Sequence, residues 1–160
     1  TASTIITQGV WMDKYYEIDL NNQWQLSTRI SNPDSSLYDG VYESFSNKNV
    51  HSSASICTIT INGYGNFKLY VRSDCNTESN YDYVVVSNLD CTLSNSTTSG
   101  SNVKMKTQGN QQSGTAITSY KLVEFSGIDK GLHTIQVMYR KDGGSASGDD
   151  RGYLIIPKNQ

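Results

Sequence analysis

The chain has 160 residues and a formal net charge of −2, and Ser, Thr and Asn fill 22, 14 and 14 positions. One domain fits this length and can bury roughly two thirds of its unfolded surface. The acidic balance excludes a basic stripe that neutralises phosphates, so nucleic acid is not an expected partner. No apolar run approaches the ~20 residues that span a bilayer, so no membrane insertion is expected.

Strong helix formers are scarce, whereas Thr, Tyr, Val and Ile favour strands and Asn, Ser and Gly favour turns. An all-β chain of extracellular, cell-surface or virion habitat is expected. No secretory leader pattern opens the chain. The opening TASTIITQGVW and the closing YLIIPKNQ read as the ends of a module cut from something longer.

In chain order, YYEIDL (15–20) reads as a strand, followed by NNQWQLSTRI (21–30). NPDSSLYDG (32–40) is a turn cluster, and VYESFS (41–46) is a short strand. SASICTITI (53–61) alternates, placing Cys57, Ile59 and Ile61 on one face. NGYGN (62–66) predicts a turn before FKLYVRS (67–73), which sets Phe67, Leu69 and Val71 against Lys68, Tyr70 and Arg72. YDYVVVS (81–87) is apolar enough to be covered on both faces. Residues 91–114 form a polar excursion, with a short strand at NVKMKT.

TAITSYKLVEFS (115–126) returns to strand character, and GIDKG (127–131) predicts another turn. LHTIQVMYRK (132–141) puts His133, Ile135, Val137 and Tyr139 on one face. DGGSASGDDRG (142–152) is a loop and YLIIP (153–157) a closing strand. Strands with turns every 8–12 residues predict a two-sheet antiparallel β-sandwich, jelly-roll-like, as a single recognition domain over 1–160. The strands near 16–20 and 153–157 are expected to pair near each other.

Catalytic signals are weak. Neither His51 nor His133 stands beside a nucleophile motif, and no H-E-x-x-H or G-x-S-x-G run occurs. The expectation is a non-enzyme. Cys57 reads as a buried free thiol, and Cys75 and Cys91 could meet if the strands between them pair back.

Ser73, Asp74, Asn76, Glu78 and Asp82 supply oxygens within ten residues, the donor type a calcium ion takes. Asp and Asn equally populate turns by bonding local backbone, so turn and cation both stand. Arg151, beside Asp149 and Asp150, is a candidate for an internal ion pair. Trp11, Tyr15, Tyr16, Trp24, Tyr38 and Tyr42 crowd the first 42 residues. An exposed aromatic beside amide and carboxylate groups is how a protein meets a sugar, which presents both C–H patches and hydroxyls. Trp11, Trp24, Tyr38 and Tyr42 are the candidate ligand-binding residues.

The run FKLYVRSDCNTESNYDYVVV resembles CUB domains, which carry an acid and then Tyr-Asp-Tyr opening the next strand. That resemblance implies Asp74 and Asp82 as calcium ligands. Cys75 lies six residues before Tyr81, farther than the family pattern. IDKGLHTIQVMYRKD resembles the Gly-x-His-x-Ile-x-Val-x-Tyr strand of jelly-roll carbohydrate-binding modules. The chain as a whole resembles binding modules of secreted or phage tail-type proteins. The expected function is non-catalytic binding or adhesion to a cell-surface glycan or polysaccharide. The alternative is a structural or adhesive domain of a phage tail or virion, working through protein contacts, oligomers or neighbouring modules.

Overall fold

The computed structural model describes residues 6–47, 50–74, 83–88, 92–93, 102–106, 117–141, 143 and 150–160. The N-terminal hairpin joins β1 (Ile6–Trp11) to β2 (Lys14–Asp19). Trp11 pairs with Lys14 around a two-residue loop, in which Met12 takes a left-handed φ of 54°. Two short strands follow, β3 (Trp24–Leu26) and β4 (Tyr42–Ser44). β5 (Ser53–Asp74) then runs for 22 residues. After it come β6 (Tyr83–Asn88), β7 (Thr92–Leu93) and β8 (Asn102–Lys106). A 3₁₀ turn (Ile117–Ser119) precedes β9 (Lys121–Lys141), and β10 (Arg151–Ile155) closes the described fold.

All ten strands among the described residues belong to one antiparallel sheet, curled into a half-barrel, rather than to the two sheets of a jelly-roll sandwich. The reason lies in the two stretches expected to be turns. Gly63–Gly65 lies inside β5, and Gly127–Gly131 lies inside β9. The two long strands pair from Ser53↔Lys141 to Val71↔Lys121, so the ladder never separates into two sheets. Between the pairs Gly63↔Gly131 and Phe67↔Phe125, β5 advances four residues while β9 advances six. These bulges lengthen one strand against the other and bend the ribbon into a corner. Gly65 (φ 89°) and Gly131 (φ 132°) supply backbone conformations that side-chain-bearing residues rarely adopt.

On one side of the corner the order is β1-β2-β5-β9-β6-β8. On the other it is β3-β4-β10-β5-β9-β7. β2 and β10 therefore both pair with β5, at different ends of it, and not with each other. The main core joins the two halves: Ile18, Ile59, Val84, Ile135 and Val137 of one pack with Trp24, Tyr42, Val71 and Leu154 of the other. A Cβ on Gly152 of β10 would lie 2.9 Å from Val84 of β6 and 3.1 Å from Tyr139 of β9. The halves thus close at the distance of backbone against side chain. Cys57 is a buried free thiol here, and burial pushes its pKa up. Val84, Val85 and Val86 are all buried, in keeping with a strand covered on both faces.

A second core covers the outer face of the β4–β10–β5 region, where Tyr153 and Ile155 meet Ile30, Tyr38, Val41 and Tyr120. Alternation along β5 sends Arg72 to this face. The covering residues leave it 0% exposed. Its guanidinium carbon lies 4.6 Å from the Tyr153 ring centre and 5.0 Å from that of Tyr120. None of its three nitrogens has a hydrogen-bond partner among the described residues. Buried Glu43 is fully served: Gln25 Nε2 donates to it at 2.8 Å and Ser27 Oγ at 2.9 Å. Arg29 Nε lies 3.4 Å and Arg151 Nη1 3.5 Å from its carboxylate.

Candidate functional site

The four aromatics singled out by residue type are all inside. Trp11 is fully buried, edge-on to Phe67 with ring centres 5.1 Å apart. Trp24 and Tyr42 belong to the main core. Tyr38 sits in the second core, edge-on to Tyr70 at 6.0 Å. Asp74 is the last residue of β5, in register with Arg151. Asp82, Cys75, Cys91, Asp142 and Asp149 lie outside the described residues. Among the described residues, no group of three or more His, Cys, Asp and Glu side chains forms a metal-holding cluster. His133 is half-buried and bonds the Asp129 carbonyl through Nε2.

Two exposed aromatics, Tyr15 and Tyr64, meet at the corner of the ribbon. There a cleft of about 310 Å³ is lined by Asp13, Lys14, Tyr15, Asn62, Gly63, Tyr64 and Lys130. Tyr15 is 44% and Tyr64 45% exposed. Alternation in β2 explains Tyr15: Tyr16 and Ile18 point into the core, so Tyr15 and Glu17 point out. Tyr64 follows from the bulge, which interrupts the pairing between Gly63 and Gly65 and leaves the residue between them facing solvent.

Both rings are held. Tyr15 sits beside Asn62 in the ladder, and Asn62 Nδ2 donates to the Tyr15 hydroxyl at 3.0 Å. Lys14 Nζ donates to the Tyr64 carbonyl at 3.1 Å. The same ammonium lies 4.4 Å from the centre of the Tyr64 ring and 5.4 Å from that of Trp11. Gly63 makes this packing possible. A Cβ there would fall 2.6 Å from both the Trp11 indole and Lys14 Cδ.

Chemically, the corner offers two oriented phenol rings, an amide, a carboxylate and two ammonium groups around one cleft. Neither ring is among the four candidate ligand-binding aromatics that residue type suggests. The signal for Tyr15 was the alternation of YYEIDL, and for Tyr64 its place between two glycines.

Two further clefts are of similar size. One, of about 270 Å³, is lined by Ser52, Ser53, Ala54, Arg140, Lys141 and Gly143. The other, of about 260 Å³, includes Tyr38, Lys68, Tyr70 and Gln160, and there the Gln160 amide caps Lys68 by donating to its carbonyl at 2.9 Å. Neither carries an exposed aromatic ring pair. Among the described residues, no helix is long and apolar enough to cross a membrane. The chain matches no family model, no curated protein and no solved structure.

Proposed function

We propose that this chain is a non-catalytic saccharide-binding module and that the corner cleft is its binding site. The observation that carries this is the pair of half-exposed rings, Tyr15 and Tyr64, each fixed by a neighbour and flanked by Asn62, Asp13 and Lys130. The electron-rich face of a phenol ring attracts the C–H patches of a pyranose. The carboxylate and amide accept and donate to its hydroxyls, and a few placed polar groups fix orientation. Rings already held in place lose little freedom on binding. A cell-surface glycan or polysaccharide is the expected ligand class.

A glycan array with wild type, Tyr15→Ala and Tyr64→Ala tests this. Wild-type binding that both substitutions weaken supports it, while retention of no glycan removes it.

A second reading has its own observation. Val10, Tyr15, Asn62 and Leu132 are successive cross-strand neighbours on one row. Leu132 is 67% exposed, and Met12 of the adjoining loop is 64% exposed. Apolar groups so exposed suit protein contact, as in a structural or adhesive domain of a tail or virion protein. Sedimentation velocity separates the two: self-association lost in Leu132→Ser, without glycan binding, favours protein contact.

A further inference from the structure

The chain is acidic overall, with net charge −2, yet two ammonium groups and one carboxylate line the corner cleft. The groups differ in what they are free to do. Lys14 is committed to the Tyr64 carbonyl and to the aromatic rings beside it. Lys130 is exposed, at the bulge of β9, and its side chain has no hydrogen-bond or ion-pair partner among the described residues. The cleft is thus a locally positive spot where an unengaged cation stands next to two oriented rings.

From this charge pattern, which rests on the saccharide-binding proposal above, we infer that the cleft selects acidic saccharides. The carboxylate of a uronate sugar pairs with Lys130 while the sugar ring packs against Tyr15 and Tyr64. Asp13 accepts from sugar hydroxyls. A neutral sugar satisfies the rings and Asp13 but leaves Lys130 without a counter-charge.

The probes are polygalacturonate and polymannuronate, each with its fully methyl-esterified form, which keeps the sugar ring and removes the charge. Titration calorimetry is run with wild type and Lys130→Gln at low and at high salt. The acid form is expected to bind more tightly than its ester. Lys130→Gln is expected to weaken acid binding by up to about fivefold, the size of an exposed ion pair, and to weaken ester binding by distinctly less. Salt is expected to erase the preference, because the screening length falls from about 30 Å at 0.01 M to about 3 Å at 1 M.

Equal binding of acid and ester, with no effect of Lys130→Gln, overturns the acidic selectivity and leaves saccharide binding standing. Failure of every saccharide on the array, neutral or acidic, overturns the underlying proposal as well. Lys130 is exposed, so the unfolding midpoint of Lys130→Gln is expected to match wild type, which keeps a binding loss from being mistaken for misfolding.

Discussion

The ammonium of Lys14 donates to the carbonyl of Tyr64 at 3.1 Å and lies 4.4 Å from the centre of the same residue's ring. One side chain therefore fixes both backbone and ring of the residue that the bulge pushes out. Lys14→Met keeps the methylene stem against Trp11 and removes the charge. The expected cost in stability is small, about 0.5–1 kcal/mol for a partly exposed cation over a ring. Saccharide affinity is expected to fall with it, because Tyr64 then has to be ordered on binding. Chemical denaturation and calorimetry on the same variant measure the two effects.

Gly63→Ala tests the corner itself. Its new methyl would collide with the Trp11 indole and with Lys14 Cδ, each 2.6 Å away. Trp11 is fully buried, so it has little room to yield. Overpacking of this kind costs about 1–3 kcal/mol. For a chain of this size, each kcal/mol lowers the melting midpoint by about 2–4 °C. A melting curve superimposable on wild type would contradict the packing described for Trp11 and Gly63.

These glycines mark where the sequence could and could not be read. Alternation locates the strands at 53–61, 67–73 and 132–141, and with them the inward residues Ile59, Leu69 and Val137. It could not show that 53–61 and 67–73 are one strand. Gly and Asn between two apolar runs signal a turn or a bulge alike, and only the partner strand decides. The paired β9 carries the matching irregularity, and this converts the expected two sheets into one curled sheet. The burial of Arg72 is not legible in the sequence for a related reason. Its alternation was right, but nothing local reveals that Ile30, Tyr38 and Val41 fold over that face. Residue type points to Trp11 and Trp24 as binders, whereas exposure follows register and bulge at Tyr15 and Tyr64.

Arg72 yields a prediction of opposite sign for two substitutions. Its buried guanidinium meets two tyrosine faces and no hydrogen-bond acceptor among the described residues. The aromatic faces offset only part of the cost of removing a cation from water. Arg72→Met retains the volume and discards the charge, so stability is expected to hold or to rise by about 1 kcal/mol. Arg72→Ala leaves a cavity between the rings and is expected to cost about 2–4 kcal/mol. Loss of stability in Arg72→Met as large as in Arg72→Ala would mean that the charge itself stabilises the second core.

Alkaline pH is expected to unfold the chain through its buried tyrosines. Burial raises the pKa of Tyr16, and that of Tyr120 likewise, with Arg72 acting in the lowering direction on Tyr120. A phenol held neutral by the fold contributes stability that is complete below its unfolded value, about 10. That contribution is lost as pH rises from there through the higher folded value. The unfolding midpoint should be insensitive to these groups up to about pH 9 and fall above pH 10. Tyr16→Phe, which keeps the ring against Phe67, should make the fall shallower. Equal slopes for the two proteins above pH 10 would rule Tyr16 out as the cause.

Saccharide binding is proposed to rest on two fixed, exposed rings at the ribbon corner. Calorimetric titration of the double variant Tyr15→Ala/Tyr64→Ala tests it most directly, with the tightest ligand from the glycan array. Both rings are half-exposed, so the fold should survive their removal. Affinity is expected to fall by about tenfold or more, with the circular-dichroism spectrum unchanged. Undiminished binding by a folded double variant would place the site elsewhere and contradict the assignment.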